Sequence, residues 1–379
     1  MKSPQEAVTP APAPGVFGEG KVPKKVGDLR KNITMAEIAK HAGVSQGAIS
    51  SLLNDRDYGI RVSEKTRERV FKVCRDLGYI PNDLRAVVRM YPEFGDFCLL
   101  ISEQVPGGVA HPHGARILAG ALAAVPEPSR PFTLGIYDET LDYLADVETL
   151  PHAVRSGVVS KFMFFGSSST SLLQTLTKRG FPVVSVGYDT PMLGVVSVVP
   201  DYARAARLAI EHLVQLGHRH IGVVSGPFGT SDWPVLELNR GVRLAAEELR
   251  IPIEAQHIVY AGPETDTEPV ALREMLAHQP GPTAIFCMSD GAAAAVLALA
   301  ASLGLEVPRK LSVIACGGGP GTRGLHPALS TVRLPMEELG AAAVQEIDRL
   351  VREPLPAEPS RIVLEVALEA RASTAAPGR

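Results

Sequence analysis

Residues 33–54 read ITMAEIAKHAGVSQGAISSLLN, and their punctuation decides the first part of the fold. Thr34-Met35-Ala36-Glu37 has the form of a capping box: the Thr34 oxygen accepts an orphan amide while Glu37 reaches back. Ile38, Ala39 and Ala42 supply an inward apolar face, and Gly43 predicts the stop. Ser45 is positioned to cap a second helix running to about Leu53, with Ile49, Leu52 and Leu53 inward. After a connection through Asn54–Gly59, Ser63 opens a third helix. Its Val70, Val73, Cys74 and Leu77 recur at helical spacing before Gly78 ends it. The pattern predicts a small all-α unit of three short helices over residues 32–80.

Charge separates this region from the rest of the chain. Lys21 to Arg89 holds fifteen Lys/Arg against eight Asp/Glu, a balance of +7, although the 379-residue chain carries −3 overall. The remainder is therefore acidic. A basic module on an acidic body suits attraction to phosphates, with a plain solvated basic surface as the competing reading. Residues 1–31, rich in Pro, Ala, Gly and Lys and without apolar periodicity, predict a disordered tail. Their opening MKSPQEAVTPAPAP has no apolar core, which argues against a secretory signal.

From Phe97 the texture changes. FCLLIS, FTLGIY, KFMFF, PVVSVG, HIGVVSG, TAIFCMS and LSVIAC are short apolar runs. Amphipathic segments alternate with them: 114–124, 171–179, 202–216, 240–249, 270–278 and 291–303. Continuous apolar strands separated by helices predict parallel sheets covered on both faces, here two sheets with a cleft at their strand ends. A hydrophobic fraction of 45% is enough for such a core, while no stretch has the length and apolarity of a membrane span. Cys74, Cys98, Cys287 and Cys316 form no CxxC pair, so neither a zinc site nor a disulfide framework is implied, and a reducing, cytoplasmic setting is expected.

The stretch from Ile33 to Arg89, with its Ala42-Gly43-Val44-Ser45 turn and its closing Gly78-Tyr79-Ile80-Pro81-Asn82, resembles the headpiece of lactose-repressor-type (LacI/GalR family) regulators. HLVQLGHRHIGVVSG (212–226), Pro282–Cys316 and LSTVRLPMEELGAAAV (329–344) continue the resemblance over roughly residues 32–371. It implies a hinge at 81–94, a two-lobed periplasmic-binding-protein-like domain over 95–372 and a short tail at 373–379. It also implies a DNA-binding regulator, by family default a repressor, acting on a near-palindromic operator as a homodimer.

In a helix-turn-helix the second helix lies in the major groove. Gln46, Gly47, Ala48, Ser50 and Ser51 are then the outward candidates, with Thr34, Ser45 and Asn54 beside them. Gln46 can bind an adenine edge bidentately and Ala48 can meet a thymine methyl. Thr34 and Ser45 serve as helix caps, and a cap at a groove-facing end can also touch phosphate. Ser51 stands where most relatives carry Arg, so the geometry carries over and the base preference does not. The hinge is implied to wedge Val88 into the minor groove, with Arg85 and Arg89 on phosphates or the groove floor, against the competing reading of a plain linker.

The resemblance further implies a small-molecule effector, carbohydrate-related or a nucleobase derivative in relatives, in the cleft between the lobes. Matching positions are His113, Arg207 as a polar clamp, Ser289, Asp290 and Met336. An exposed loop histidine competes for His113, and a helix cap for Asp290. Gly317-Gly318 replaces an acidic pair that in relatives grips ligand hydroxyls. Either the effector is no typical sugar, or other residues hold it, or the response is lost. No cofactor, metal or catalytic residue is expected: Gly317–Gly321 lacks the P-loop pattern, and His111-Pro-His113 and His218-Arg-His220 lack partner ligands and read as loops. The rival function is a solute-binding protein without a DNA role.

Overall fold

A computed structural model describes residues 33–54, 62–77, 79, 95–105, 107–125, 132–166, 169–225, 233–260, 268–278 and 280–378. The expected tail over 1–31 and the hinge residues Arg85, Val88 and Arg89 lie outside them. The chain divides into two compact units, residues 1–94 and 95–379.

In the first unit, helices α1 (Met35–Ala42), α2 (Gln46–Asn54) and α3 (Glu64–Leu77) enclose their own core. The capping box forms: the Glu37 amide donates to Thr34 Oγ1 at 3.3 Å, and the Thr34 amide donates to the Glu37 carboxylate at 2.8 Å. That pairing holds the Glu37 carboxyl below its ordinary range. Gly43 ends α1 at φ 64°, a left-handed conformation that suits glycine, and its amide returns to the Ala39 carbonyl. The core joins Ile38, Ala39, Ala42, Ile49, Leu53, Val70 and Cys74, as the periodicity predicts, and adds Tyr79 from the closing motif. Ala48 corrects one expectation. It is 7% exposed, because it flanks Ile49 and falls one turn before Leu52, on the inward stripe rather than the outer face.

The second unit contains two six-stranded sheets. One lobe orders β1 (Asp96–Ser102), β2 (Phe132–Tyr137), β3 (Val159–Phe165), β4 (Val183–Val186), β5 (Val195–Pro200) and β11 (Ser360–Leu364) as β11-β5-β4-β3-β1-β2, all parallel. The other orders β6 (Ile221–Ser225), β7 (Ile258–Tyr260), β8 (Ala284–Cys287), β9 (Ser312–Gly317), β10 (Ser330–Arg333) and β12 (Ala367–Glu369) as β12-β10-β9-β8-β6-β7, with β12 alone antiparallel. The helices of this unit are α4 (Pro112–Ala124), α5 (His152–Ser156), α6 (Thr170–Lys178), α7 (Tyr202–Gln215), α8 (Trp233–Leu249), α9 (Glu268–Ala277), α10 (Asp290–Ser302) and α11 (Met336–Leu350).

The chain crosses between lobes after β5, after β10 and after β11. The middle crossing returns α11 to the first lobe, where it packs on α4 at backbone distance. A Cβ on Gly120 would stand 1.8 Å from the Glu337 carbonyl oxygen, and one on Gly340 would stand 2.0 Å from that of Ile117. Glycine at both positions is what lets the two helices touch.

The C-terminal residues correct a second expectation. The expected tail from 373 is knitted into the second lobe: Ser373 is fully buried, donating to the Val313 carbonyl and accepting from the Ser330 amide. His218 lies in the loop between α7 and β6, as expected, but is 1% exposed. Its ring nitrogens pair with Thr283, Ser312 and the Ala375 carbonyl. Burial pushes this imidazole below its ordinary value. The four cysteines are buried and none is in a disulfide, and burial raises Cys74 and Cys98 to about 12. Among the described residues no helix is long and apolar enough to cross a membrane, and no group of ligands could hold a metal ion.

Candidate functional site

Two places carry the residues singled out by sequence. The first is the start of α2. Ser45 Oγ accepts the Ala48 amide at 3.1 Å, so the residue is a working cap, and Ser45 and Gln46 are exposed. Gly47, Ser50 and Ser51 are half-buried, and Thr34 is exposed at the start of α1. Asn54 is the last residue of α2. Lys65, Arg67, Arg69 and Lys72 are exposed along α3, so the same small unit presents several cations. A helix start beside an exposed glutamine and surrounding cations has the chemistry to engage phosphates and a base edge.

The second place is a cavity of about 200 Å³ between the two lobes of residues 95–379. Parallel strands bring its walls together, because the loops at their C-terminal ends converge there. The first lobe contributes His111 and His113 at the start of α4, Phe165 at the end of β3, and Tyr188 after β4. The second contributes Ser225 from β6, Leu238 from α8, and Met288 and Ser289 after β8. Tyr202 and Leu334, at two of the crossings, also line it, as do Pro234 and Val235 at the start of α8.

Two of the five expected effector residues are on this wall, His113 and Ser289. His111 Nδ1 accepts the His113 amide at 3.2 Å and so caps α4, which leaves the His111 proton on Nε2 as a donor. The His111 ring also leans on Phe165, 5.8 Å between centroids, and meets His113 edge-on at 5.3 Å. Burial holds His111 low and takes His113 down to about 3, the neighbouring His111 and Arg116 adding to the second shift. Both rings are therefore neutral near pH 7. Ser289 caps α10 by accepting the Ala292 amide at 3.1 Å.

The other three lie elsewhere. Arg207 is on a different face of α7 from Tyr202 and pairs with Glu211 at 2.5 Å and Glu248 at 2.6 Å, so it clamps neighbouring helices rather than a cavity ligand. Met336 is 1% exposed in the hydrophobic core. Asp290 is not the cap of α10 but its first residue. Its carboxylate accepts the Gly319 amide at 2.8 Å and the Gly318 amide at 3.2 Å. Burial raises this carboxyl, and those two amides oppose the shift.

The glycines after β9 now have a structural account. A Cβ on Gly317 would stand 2.6 Å from the Asp290 carboxylate, and one on Gly318, at φ 75°, would stand 2.8 Å from the Arg333 Cα. Asp290 fills the space that a side chain at 317 would need. Besides His111 and Ser225, the residues sequence reasoning missed on the wall are apolar or aromatic, among them Phe165, Tyr188, Tyr202, Leu238, Met288 and Leu334. In sequence such residues are indistinguishable from core.

Comparison with known proteins agrees with this two-part organisation. Residues 34–82 match the model for bacterial regulatory proteins of the lacI family, and residues 210–374 match that for a periplasmic binding protein-like domain. The chain is 29% identical to the HTH-type transcriptional regulator CelR of Thermobifida fusca over 357 residues, covering 91% of this chain and 99% of the relative. It is 24% identical to the probable HTH-type transcriptional repressor ExuR of Bacillus subtilis over 322 residues, covering 85% and 92%. Among solved structures, a transcriptional regulator CelR–cellobiose complex aligns with TM-score 0.62 at 26% identity, covering 90% of this chain and all of that one. A LacI family transcriptional regulator from Mycobacterium smegmatis aligns with TM-score 0.59 at 26% identity, covering 74% and 99%. With its headpiece, its two-lobed α/β domain and these relatives, the chain belongs to the LacI family of DNA-binding transcription regulators.

Proposed function

We propose that the protein is a repressor that binds a near-palindromic operator as a homodimer and is modulated by a small molecule in the interlobe cavity. The observation that carries the DNA reading is the exposure of Ser45 and Gln46 at the capped start of α2. One such headpiece makes few base contacts, and a two-fold dimer doubles them. A surface suited to pairing exists on the first lobe. β2 is a sheet edge, and its Leu134 and Ile136 are 44% and 65% exposed. They pair in register with Leu99 and Ile101, which pack beneath α4, so they share the face on which Leu122 of α4 is also exposed. Apolar side chains grouped on one face favour burial against a partner.

The effector reading rests on the cavity between lobes and on the relative CelR, whose solved structure is a complex with cellobiose. The test is selection of genomic fragments by the full-length protein. The reading expects a recurrent inverted-repeat site. Recovery of no enriched site at low salt would favour the rival, a solute-binding protein without a DNA role.

A further inference from the structure

The walls of the interlobe cavity are unlike those needed for a polyhydroxylated ligand. Among its described lining residues there is no Asp, Glu, Lys or Arg. Several of its polar atoms are already engaged: the Tyr202 hydroxyl donates to the Gly187 carbonyl at 3.3 Å, and the Ser225 hydroxyl donates to Asn239 at 3.3 Å. The carboxylate nearest the end of β9, Asp290, is held by the Gly318 and Gly319 amides. Arg116, near the end of β9, is itself engaged, binding the Glu337 carboxylate and the Leu334 carbonyl. Among the described lining residues, the other polar groups are the His111 Nε2–H, the neutral His113 ring, the Ser289 hydroxyl and the Tyr188 hydroxyl, set among Phe165, Leu238 and Met288.

A sugar brings many hydroxyls into a site, and each one buried without a partner costs about 1–3 kcal/mol. So few polar groups among the described residues cannot satisfy it. A carboxylate or phosphate would enter with no facing cation among the described residues, against the cost of desolvating a charge. A flat apolar molecule meets neither penalty, and aromatic side chains favour stacked or edge-on rings. The cavity, about 200 Å³, is also smaller than the range typical of drug-sized ligands, which begins near ~300 Å³.

We propose that the effector of this protein is a small uncharged aromatic molecule of one or two rings carrying one or two hydrogen-bonding groups, not a sugar or an anion. The proposal rests on the effector reading above and gives that site its ligand class. His111 and Ser289 orient the polar edge, and Phe165, Leu238 and Met288 enclose the ring.

The chain carries its own reporter. Its single tryptophan, Trp233, lies edge-on to Tyr202 at 5.7 Å between centroids, and Tyr202 and Pro234 are both on the cavity wall. Trp233 emission in the full-length protein is titrated with benzamide and 2-naphthamide, with their anionic counterparts benzoate and 2-naphthoate, and with cellobiose. The expected result is a saturable change with at least one amide. Its carboxylate counterpart should bind about tenfold more weakly or worse, and cellobiose should give no change. Val235→Glu, a half-buried wall residue in the first turn of α8, should weaken the amide at least about tenfold while leaving circular dichroism unchanged. Equal or tighter binding of a carboxylate or of cellobiose overturns the proposal, as does silence from both amides. Operator binding is read separately on the same preparation. Amide binding in a protein that ignores DNA supports this ligand class and defeats the regulator reading, whereas operator binding with no amide response does the reverse.

Discussion

Arg116 on α4 holds Glu337 at the start of α11 through two guanidinium contacts of 2.8 and 2.7 Å, and the same guanidinium donates to the Leu334 carbonyl at 3.0 Å. Leu334 lines the cavity and belongs to the chain crossing between the lobes. One nearly buried cation therefore ties the first lobe to the crossing segment. Its carboxylate partner is held below the ordinary carboxylate range by that bond. Arg116→Met should cost about 1–3 kcal/mol, because the Leu334 carbonyl and the carboxylate lose their donor. Glu337→Gln should cost less, since its side chain is 44% exposed and Arg116 keeps the carbonyl. Urea unfolding of both variants checks the order; equal losses would contradict it.

The α4–α11 crossing gives a sharper test. Gly120→Ala should destabilise by about 3 kcal/mol or more, because the new methyl meets backbone that cannot yield cheaply. Gly291→Ala, in the first turn of α10 with only the Ser289 hydroxyl at 4.0 Å, should instead be neutral or stabilising by up to about 1 kcal/mol. Thermal unfolding in parallel reads both signs. A tolerated Gly120→Ala would mean the helices are farther apart.

Acidification should weaken the large domain before carboxylates titrate. Burial lowers His218 from its ordinary 6.5 and takes His113 to about 3. Each is neutral when folded and binds a proton more readily when unfolded, so its contribution is complete above about pH 6.5 and declines as the pH falls below it. One unit below, at about pH 5.5, each such group costs up to about 1.4 kcal/mol. Urea midpoints at pH 7.5, 6.5 and 5.5 should fall in that order, and His113→Gln should flatten the slope. Midpoints that hold constant to pH 5.5 would refute the assignment.

Ile136, at the edge strand β2, offers a test of assembly. Ile136→Glu puts a charge into the exposed apolar face, and a dimer formed there should dissociate about a hundredfold more readily, with little change in the monomer's fold. Sedimentation at micromolar concentration distinguishes the outcomes. An unaltered dimer would locate pairing elsewhere on the chain.

Local chemistry was legible in the sequence, and facing was not. The headpiece could be read because Thr34, Glu37, Gly43 and Ser45 act on their neighbours, and its core follows a 3.6-residue period. Strands β1, β2, β3, β4, β6, β8 and β9 announced themselves as apolar runs, whereas β7, β10 and β12 are three or four residues long and carry too little pattern. β5, a six-residue buried run, and β11, with alternating exposure, went unread as well. Within the cavity, His113 and Ser289 are reached through the family resemblance, and both stand where a helix begins. Arg207 misled because the direction of a long side chain is set by its partners, here Glu211 and Glu248, which only the packed helices bring together. Ala48 misled because a small residue beside Ile49 falls inside once α2 packs on α1. Tyr202 and Leu238 stayed hidden because a cavity wall and a solid core use the same residues.

The central claim is that Gln46, exposed at the start of α2, reads a base edge. The most direct measurement compares wild type and Gln46→Ala on the selected operator and on random duplex, at one fixed salt concentration. The account predicts a loss of about 1–3 kcal/mol on the operator and almost none on random DNA. An equal loss on both, or no loss on either, would contradict it.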